Sequence, residues 1–198
     1  GLFENQITIM VHSGSRALGH QTCTDYTEIF WNLEDKYKIK VPRKGLAALP
    51  IETKEGGDYF SAMAASVNFA FANRQLMTYF VRQCFEDVFG SELALLYDVA
   101  HNIAKWEPLV DAKMQSFKDA KILIHRKGAT RALPAGHPLL PEKFKETGQP
   151  AIVPGSMGTA SYVLVGTQKA QETFFSVNHG AGRRMSRTEA IRSISKEE

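Results

Sequence analysis

Four of the six histidines stand at the end of a strand-like apolar run: His12, His101, His125 and His179; His20 and His137 do not. Five such runs pass into polar or glycine-rich clusters. These are His12-Ser13-Gly14-Ser15-Arg16, His101-Asn102, His125-Arg126-Lys127-Gly128-Ala129-Thr130-Arg131, Pro154-Gly155-Ser156-Met157-Gly158 and Asn178-His179-Gly180-Ala181-Gly182-Arg183-Arg184. None contains Asp or Glu. Glycines let backbone N–H groups approach an anion, hydroxyls donate to it, and arginine grips phosphate in a planar fork. Any one cluster is an ordinary turn in composition; five together point to a polyphosphate or a nucleic-acid backbone, since ligand sites form where strand ends meet.

Within these clusters His179 is the candidate nucleophile. Gly180, Ala181 and Gly182 leave little bulk around it, and a neutral imidazole is nucleophilic near pH 7, where a lysine must first lose a proton. The competing role is a turn histidine that caps backbone groups. His12 and His101 follow largely hydrophobic runs, the kind of rigid support a metal ligand needs. Their spacing matches no HxxxH or HxH pattern, and two imidazoles alone make an incomplete donor set.

The elements that must position these residues follow from apolar periodicity. Residues 6–11 read as a strand, 20–37 as a helix, and 41–50 as a basic connection bracketed by Pro42 and Pro50. A long helix is predicted over 58–89, capped near Asp58 and stopped by Gly90. Its stripe of Met63, Val67, Ala70, Met77, Val81, Cys84 and Val88 has Arg74 at the missing place. A guanidinium on that face needs a carboxylate, carbonyls or a phosphate beside it. Strands are predicted at 93–100, 122–124, 151–153, 162–165 and 174–177. Residues 133–150 hold four of the eight prolines and read as a long loop. Helices come first and strands later, so the fold class is α+β, a mixed-strand core with flanking helices in one catalytic domain portion spanning 1–198.

Composition narrows the function classes. With 24 Lys plus Arg against 21 Asp plus Glu, the net charge of +3 argues against a protein that coats DNA in bulk but permits a local basic site. Cys23 and Cys84 fit neither a disulfide framework nor a CxxC metal pattern, which points to a reducing, cytoplasmic setting. No apolar run approaches 18 residues and the first residues lack a basic or apolar leader, so neither a secretory signal nor a membrane span is expected.

The clusters, together with Ala72-Asn73-Arg74 and in their order along nearly the whole chain, resemble the RtcB family of RNA-splicing ligases. His125-Arg126-Lys127-Gly128-Ala129-Thr130-Arg131-Ala132, Pro154-Gly155-Ser156-Met157-Gly158 and His179-Gly180-Ala181-Gly182-Arg183 carry the resemblance most specifically. The resemblance implies an RtcB-like fold and a GTP- and manganese-dependent enzyme. Such an enzyme joins RNA 2′,3′-cyclic phosphate or 3′-phosphate ends to 5′-hydroxyl ends in tRNA splicing and RNA repair, with an archease-like activating protein as a partner. It further implies that His179 forms a histidine–GMP intermediate and that His12 and His101 each bind one of two Mn²⁺ ions. Asn102, Pro154, Gly155, Ser156, Met157, Ser161, His179, Gly180, Ala181 and Gly182 would surround the guanylate. Arg16, Lys127, Arg131 and Arg183 are assigned to RNA phosphates from their charge.

The family pattern also contains an upstream aspartate, a bridging cysteine, a Gly-Asn-His segment and a C-terminal lysine that this sequence lacks. Cys23 and Cys84 both follow His12 and do not replace the cysteine; Val177-Asn178 stands where many members carry a cysteine before the His-Gly segment. A central-to-C-terminal fragment, incomplete at both ends and inactive unaided, is the resulting expectation. A metal-dependent phosphodiesterase and a non-catalytic RNA-binding module are the alternatives.

Overall fold

The computed structural model describes residues 2–41, 46–108, 120–155, 159–180, 185 and 187–193. The chain is α+β and divides into two compact units, residues 1–104 and 105–198. No helix among the described residues is long and apolar enough to cross a membrane.

The first unit is helical. Helix α1 (Arg16–Tyr37) starts four residues earlier than its periodicity suggests and closes on Lys38 in the left-handed conformation, φ 54°. Helix α2 (Lys54–Phe89) is capped by Thr53, whose Oγ1 accepts the Gly56 N–H at 3.0 Å. The cap precedes Asp58 because Pro50, Ile51 and Thr53 already shape the entry: a Cβ on Gly56 would lie 2.3 Å from the Pro50 carbonyl oxygen. Gly90, at φ 62°, ends the helix as expected and returns its N–H to the Glu86 carbonyl. The two helices meet through an aromatic cluster of Tyr26, Phe30 and Tyr59, with ring centroids 5.4–6.2 Å apart, and through Thr22 against Ser66.

Burial on α2 stops at Arg74. Gly56, Met63, Ser66, Ala70 and Arg74 are buried, whereas Met77, Cys84 and Val88 of the predicted stripe are exposed. Residues 6–11 and 93–100 are not strands. Both lack a ladder partner among the described residues, and Ile7, Ile9 and Met10 are exposed. Periodicity finds an extended, apolar segment; only a neighbouring strand makes it a sheet.

Strand β1 (Asn102–Pro108) crosses the division of the units and pairs with β2 (Lys121–Lys127). The His-Arg-Lys cluster is thus part of a strand rather than the loop after it. Gly128, at φ 68°, turns the chain into β3 (Ala129–Arg131). Strand β3 pairs antiparallel with β6 (Ser176–Asn178) in the register Ala129 to Asn178, Thr130 to Val177 and Arg131 to Ser176. Strand β4 (Pro150–Val153) pairs antiparallel with β5 (Tyr162–Val165). Helix α3 (Arg187–Ser193) follows. Phe174 and Phe175, predicted as the start of β6, instead form a left-handed turn before it, at φ 51° and 52°.

Before β4 begins at Pro150, residues 133–149 hold a 3-10 turn at Glu142–Phe144 and a single bridge from Pro134 to Gly166, yet they are densely packed. Leu133, Leu140, Phe144 and Gln149 are buried, and Gly136, Gly148 and Gln149 donate their N–H groups to Lys145, Phe144 and Leu133 carbonyls. The loop supplies much of the second unit's interior.

Candidate functional site

In the first unit His12 and His101, 89 positions apart in the chain, close to a contact. Their Nε2 atoms lie 3.1 Å apart and the rings meet edge to face at 80°. Helix α2 makes this juncture. The Asn73 amide donates to Ser13 Oγ at 3.0 Å and to the Gly14 carbonyl at 2.9 Å. Arg74 donates from Nη1 to the Ser13 carbonyl at 3.3 Å and from Nε to Asp98 Oδ1 at 2.7 Å. One buried guanidinium therefore holds the residue after His12 and a carboxylate three residues before His101, with its carbon 4.5 Å above the Phe71 ring.

Two nitrogens bound to one cation at about 2.1 Å, with bond angles of 90–109°, stand about 3.0–3.4 Å apart. The observed 3.1 Å fits His12 and His101 as neighbouring ligands of a single divalent ion. Imidazole nitrogen suits a borderline transition-metal ion, and two such donors leave most coordination positions for other groups.

In the second unit, two glycine loops meet. Asn178 ends β6, and the His179 N–H extends the ladder by donating to the Gly128 carbonyl at 3.0 Å. A Cβ on Gly180 would sit 3.5 Å from the Pro154 carbonyl oxygen, so the turn after β6 lies against the turn after β4. Gly155 donates its N–H to Ser161 Oγ at 2.9 Å, and a Cβ there would fall 2.4 Å from the Ala160 carbonyl oxygen. Pro154, Gly155, Ser161, His179 and Gly180 are thus brought together. Ser156, Met157, Ala181, Gly182 and Arg183 lie outside the described residues. Asn102 opens β1 within the first unit.

The cations have different environments. Arg16, the first residue of α1, and Lys127, the last of β2, are exposed. Arg131 donates from Nε to Gln149 Oε1 at 3.2 Å and stands 3.7 Å from Glu107, so part of its charge serves the interior. Burial, and next the Arg131 charge, hold the Lys105 ammonium below its ordinary pKa. Burial first and Lys127 second lower that of His125.

A family model described as tRNA-splicing ligase RtcB matches residues 1–198. The chain belongs to the RtcB family. It is 51% identical to the tRNA-splicing ligase RtcB of Thermococcus kodakarensis over 199 residues, covering 97% of this chain and 40% of the relative. The tRNA-splicing ligase RtcB of Archaeoglobus fulgidus is 50% identical, with 98% and 41% covered, and that of Pyrococcus abyssi 50%, with 97% and 21%. The chain therefore spans between 21% and 41% of the length of these RtcB relatives. No sequence pattern singles out Asp98 or Glu107, and Arg126 stands out there only as a member of the His125–Arg131 cluster. The gap in the α2 stripe pointed to a partner for Arg74 but not to which carboxylate.

Proposed function

We propose that the chain is the part of a GTP- and Mn²⁺-dependent RNA ligase that bears the guanylate acceptor and two metal-ligating histidines. The observation that carries this is the meeting of two glycine loops at His179, within a chain of the RtcB family. The geometry supports His12 and His101 on one shared ion rather than on one each. When bound, manganese neutralises phosphate charge and orients the phosphoryl groups for in-line displacement.

Water opens the RNA 2′,3′-cyclic phosphate to a 3′-phosphate. A neutral His179 ring nitrogen attacks the α-phosphorus of GTP; the N–P bond forms and pyrophosphate leaves. An RNA 3′-phosphate oxygen then takes the guanylate and returns the electron pair to His179. Finally the RNA 5′-hydroxyl attacks the 3′-phosphorus, forming the 3′,5′ linkage and releasing GMP. Backbone N–H groups of the loops holding Pro154, Gly155, Ser156, Met157, Gly180, Ala181 and Gly182, with the Ser161 hydroxyl and Asn102, are assigned to the nucleotide. Arg16, Lys127 and Arg183 are assigned to RNA phosphates, with Arg131 shared between that role and Glu107. Broken or spliced tRNA ends as substrate, a cytoplasmic setting and an archease-like activator belong to the same reading.

The test is guanylylation. With α-labelled GTP and Mn²⁺, an acid-labile adduct at His179 is expected, in low yield from this chain alone and in high yield from the longest protein that contains it. His179→Asn abolishes it. Absence of adduct from the longer protein, or an adduct retained by His179→Asn, overturns the assignment. RNA binding that falls with salt but ignores GTP supports the non-catalytic module instead.

A further inference from the structure

The His179 strand is anchored by an ion pair that the proposed chemistry does not use. Glu107 on β1 and Arg126 on β2 are buried, at 5% and 3% exposure. Arg126 Nη1 and Nη2 donate to the two carboxylate oxygens at 2.6 and 2.9 Å, a full fork-to-fork pair. Two further guanidinium donations go to the entry of β6. Nε donates to Ser176 Oγ at 2.9 Å, and Nη2 also donates to the Phe174 carbonyl at 2.9 Å.

That entry needs holding. Phe174 and Phe175 both lie at positive φ, where a side chain clashes with its own carbonyl. Phe175 donates to the Ala170 carbonyl at 2.6 Å and accepts from the Ala132 N–H at 2.8 Å. Strand β6 is three residues long, and a ladder so short specifies its register weakly. A one-residue slip turns every side chain to the other face, and His179 immediately follows the strand. A buried ion pair adds little net stability over apolar packing, so its directional bonds are what it contributes here.

We propose that the Glu107–Arg126 pair is a positioning device that fixes the register of β6 and hence the direction in which His179 presents its imidazole. The structural part stands by itself, while its catalytic consequence rests on the reading of His179 as the guanylate acceptor.

The experiment compares the wild type with Arg126→Lys, which keeps the charge and loses the fork, and with Ser176→Ala, which removes one acceptor and leaves the ion pair intact. Amide hydrogen exchange is read at His179, whose N–H is bonded to Gly128, and at Gly148 and Gln149 as controls in the same unit. Exchange at His179 should rise about tenfold in Arg126→Lys and about fivefold in Ser176→Ala, with the controls unchanged within about twofold. In the longest protein that contains the chain, saturating GTP should give an adduct rate at least about tenfold lower in Arg126→Lys, with unchanged half-saturation. Unaltered exchange at His179, or an equal rise at the controls, overturns the positioning role. Normal adduct rates alongside altered exchange overturn its catalytic consequence. If the wild type forms no adduct, the reading of His179 fails, and the exchange data alone decide the register claim.

Discussion

Arg74 takes an apolar place on α2 because its charge is matched on two sides, by the Asp98 carboxylate and the Ser13 carbonyl. Removing one member of such a pair leaves the other buried without compensation. Asp98 keeps 29% of its side chain exposed, which screens the interaction, so Asp98→Asn should lower the urea-unfolding free energy by about 2 kcal/mol. The apolar double replacement Arg74→Met with Asp98→Leu should cost less. A larger loss in the double variant would show that the charges themselves stabilise the unit. His137 gives a pH dependence instead. Its ring packs edge-on against Phe175, its Nδ1 accepts the Leu139 N–H, and its buried Nε2 has no partner among the described residues. Burial first and Arg131 second lower its pKa, with Glu107 opposing. The unfolded chain therefore binds the proton more readily. This contribution is fully present above the unfolded value of about 6.5 and is lost as pH falls from there through the folded pKa. His137→Gln should flatten that part of the stability profile; an unchanged slope would assign it to other groups.

Gly166 shows how an element depends on one missing atom. A Cβ there would lie 2.0 Å from the Ala132 carbonyl oxygen, backbone against backbone, where Gly166 bridges to Pro134. Gly166→Ala should destabilise the second unit by about 3 kcal/mol in thermal unfolding. Gly14→Ala, with nothing within 4 Å, should stay within about 0.5 kcal/mol. The same contrast between local and non-local causes explains what the sequence made legible. The predicted 162–165 strand matches β5 because the run is short, β-rich and bounded by turn residues. The C-terminal stop of α2 was legible in Gly90, a local signal. Strand β1 escaped because Lys105 and Glu107 break its apolar pattern, and Glu107 is interior only by virtue of Arg126, which follows 19 residues later. Likewise, residue type and strand-end position made His12 and His101 candidate ligands, but their meeting depends on Asn73, Arg74 and Asp98, which no spacing rule relates.

For the molecule as a whole, α2 is the largest single element: 36 residues, about 54 Å long. Its buried positions all fall at or before Arg74, and Leu76, Tyr79, Phe80, Val88 and Phe89 are each more than half exposed. Residues 75–89 therefore draw little on packing, and a helical stretch of about 15 residues is marginal by itself in water. Heating should melt α2 in two regimes. Its far end frays gradually, as a sloping loss of ellipticity at 222 nm, before the packed portion gives way in a cooperative step. Gln83→Pro should erase the slope yet shift the step by less than about 2 °C. A step displaced as far as the slope would instead mean that the entire rod melts as one piece.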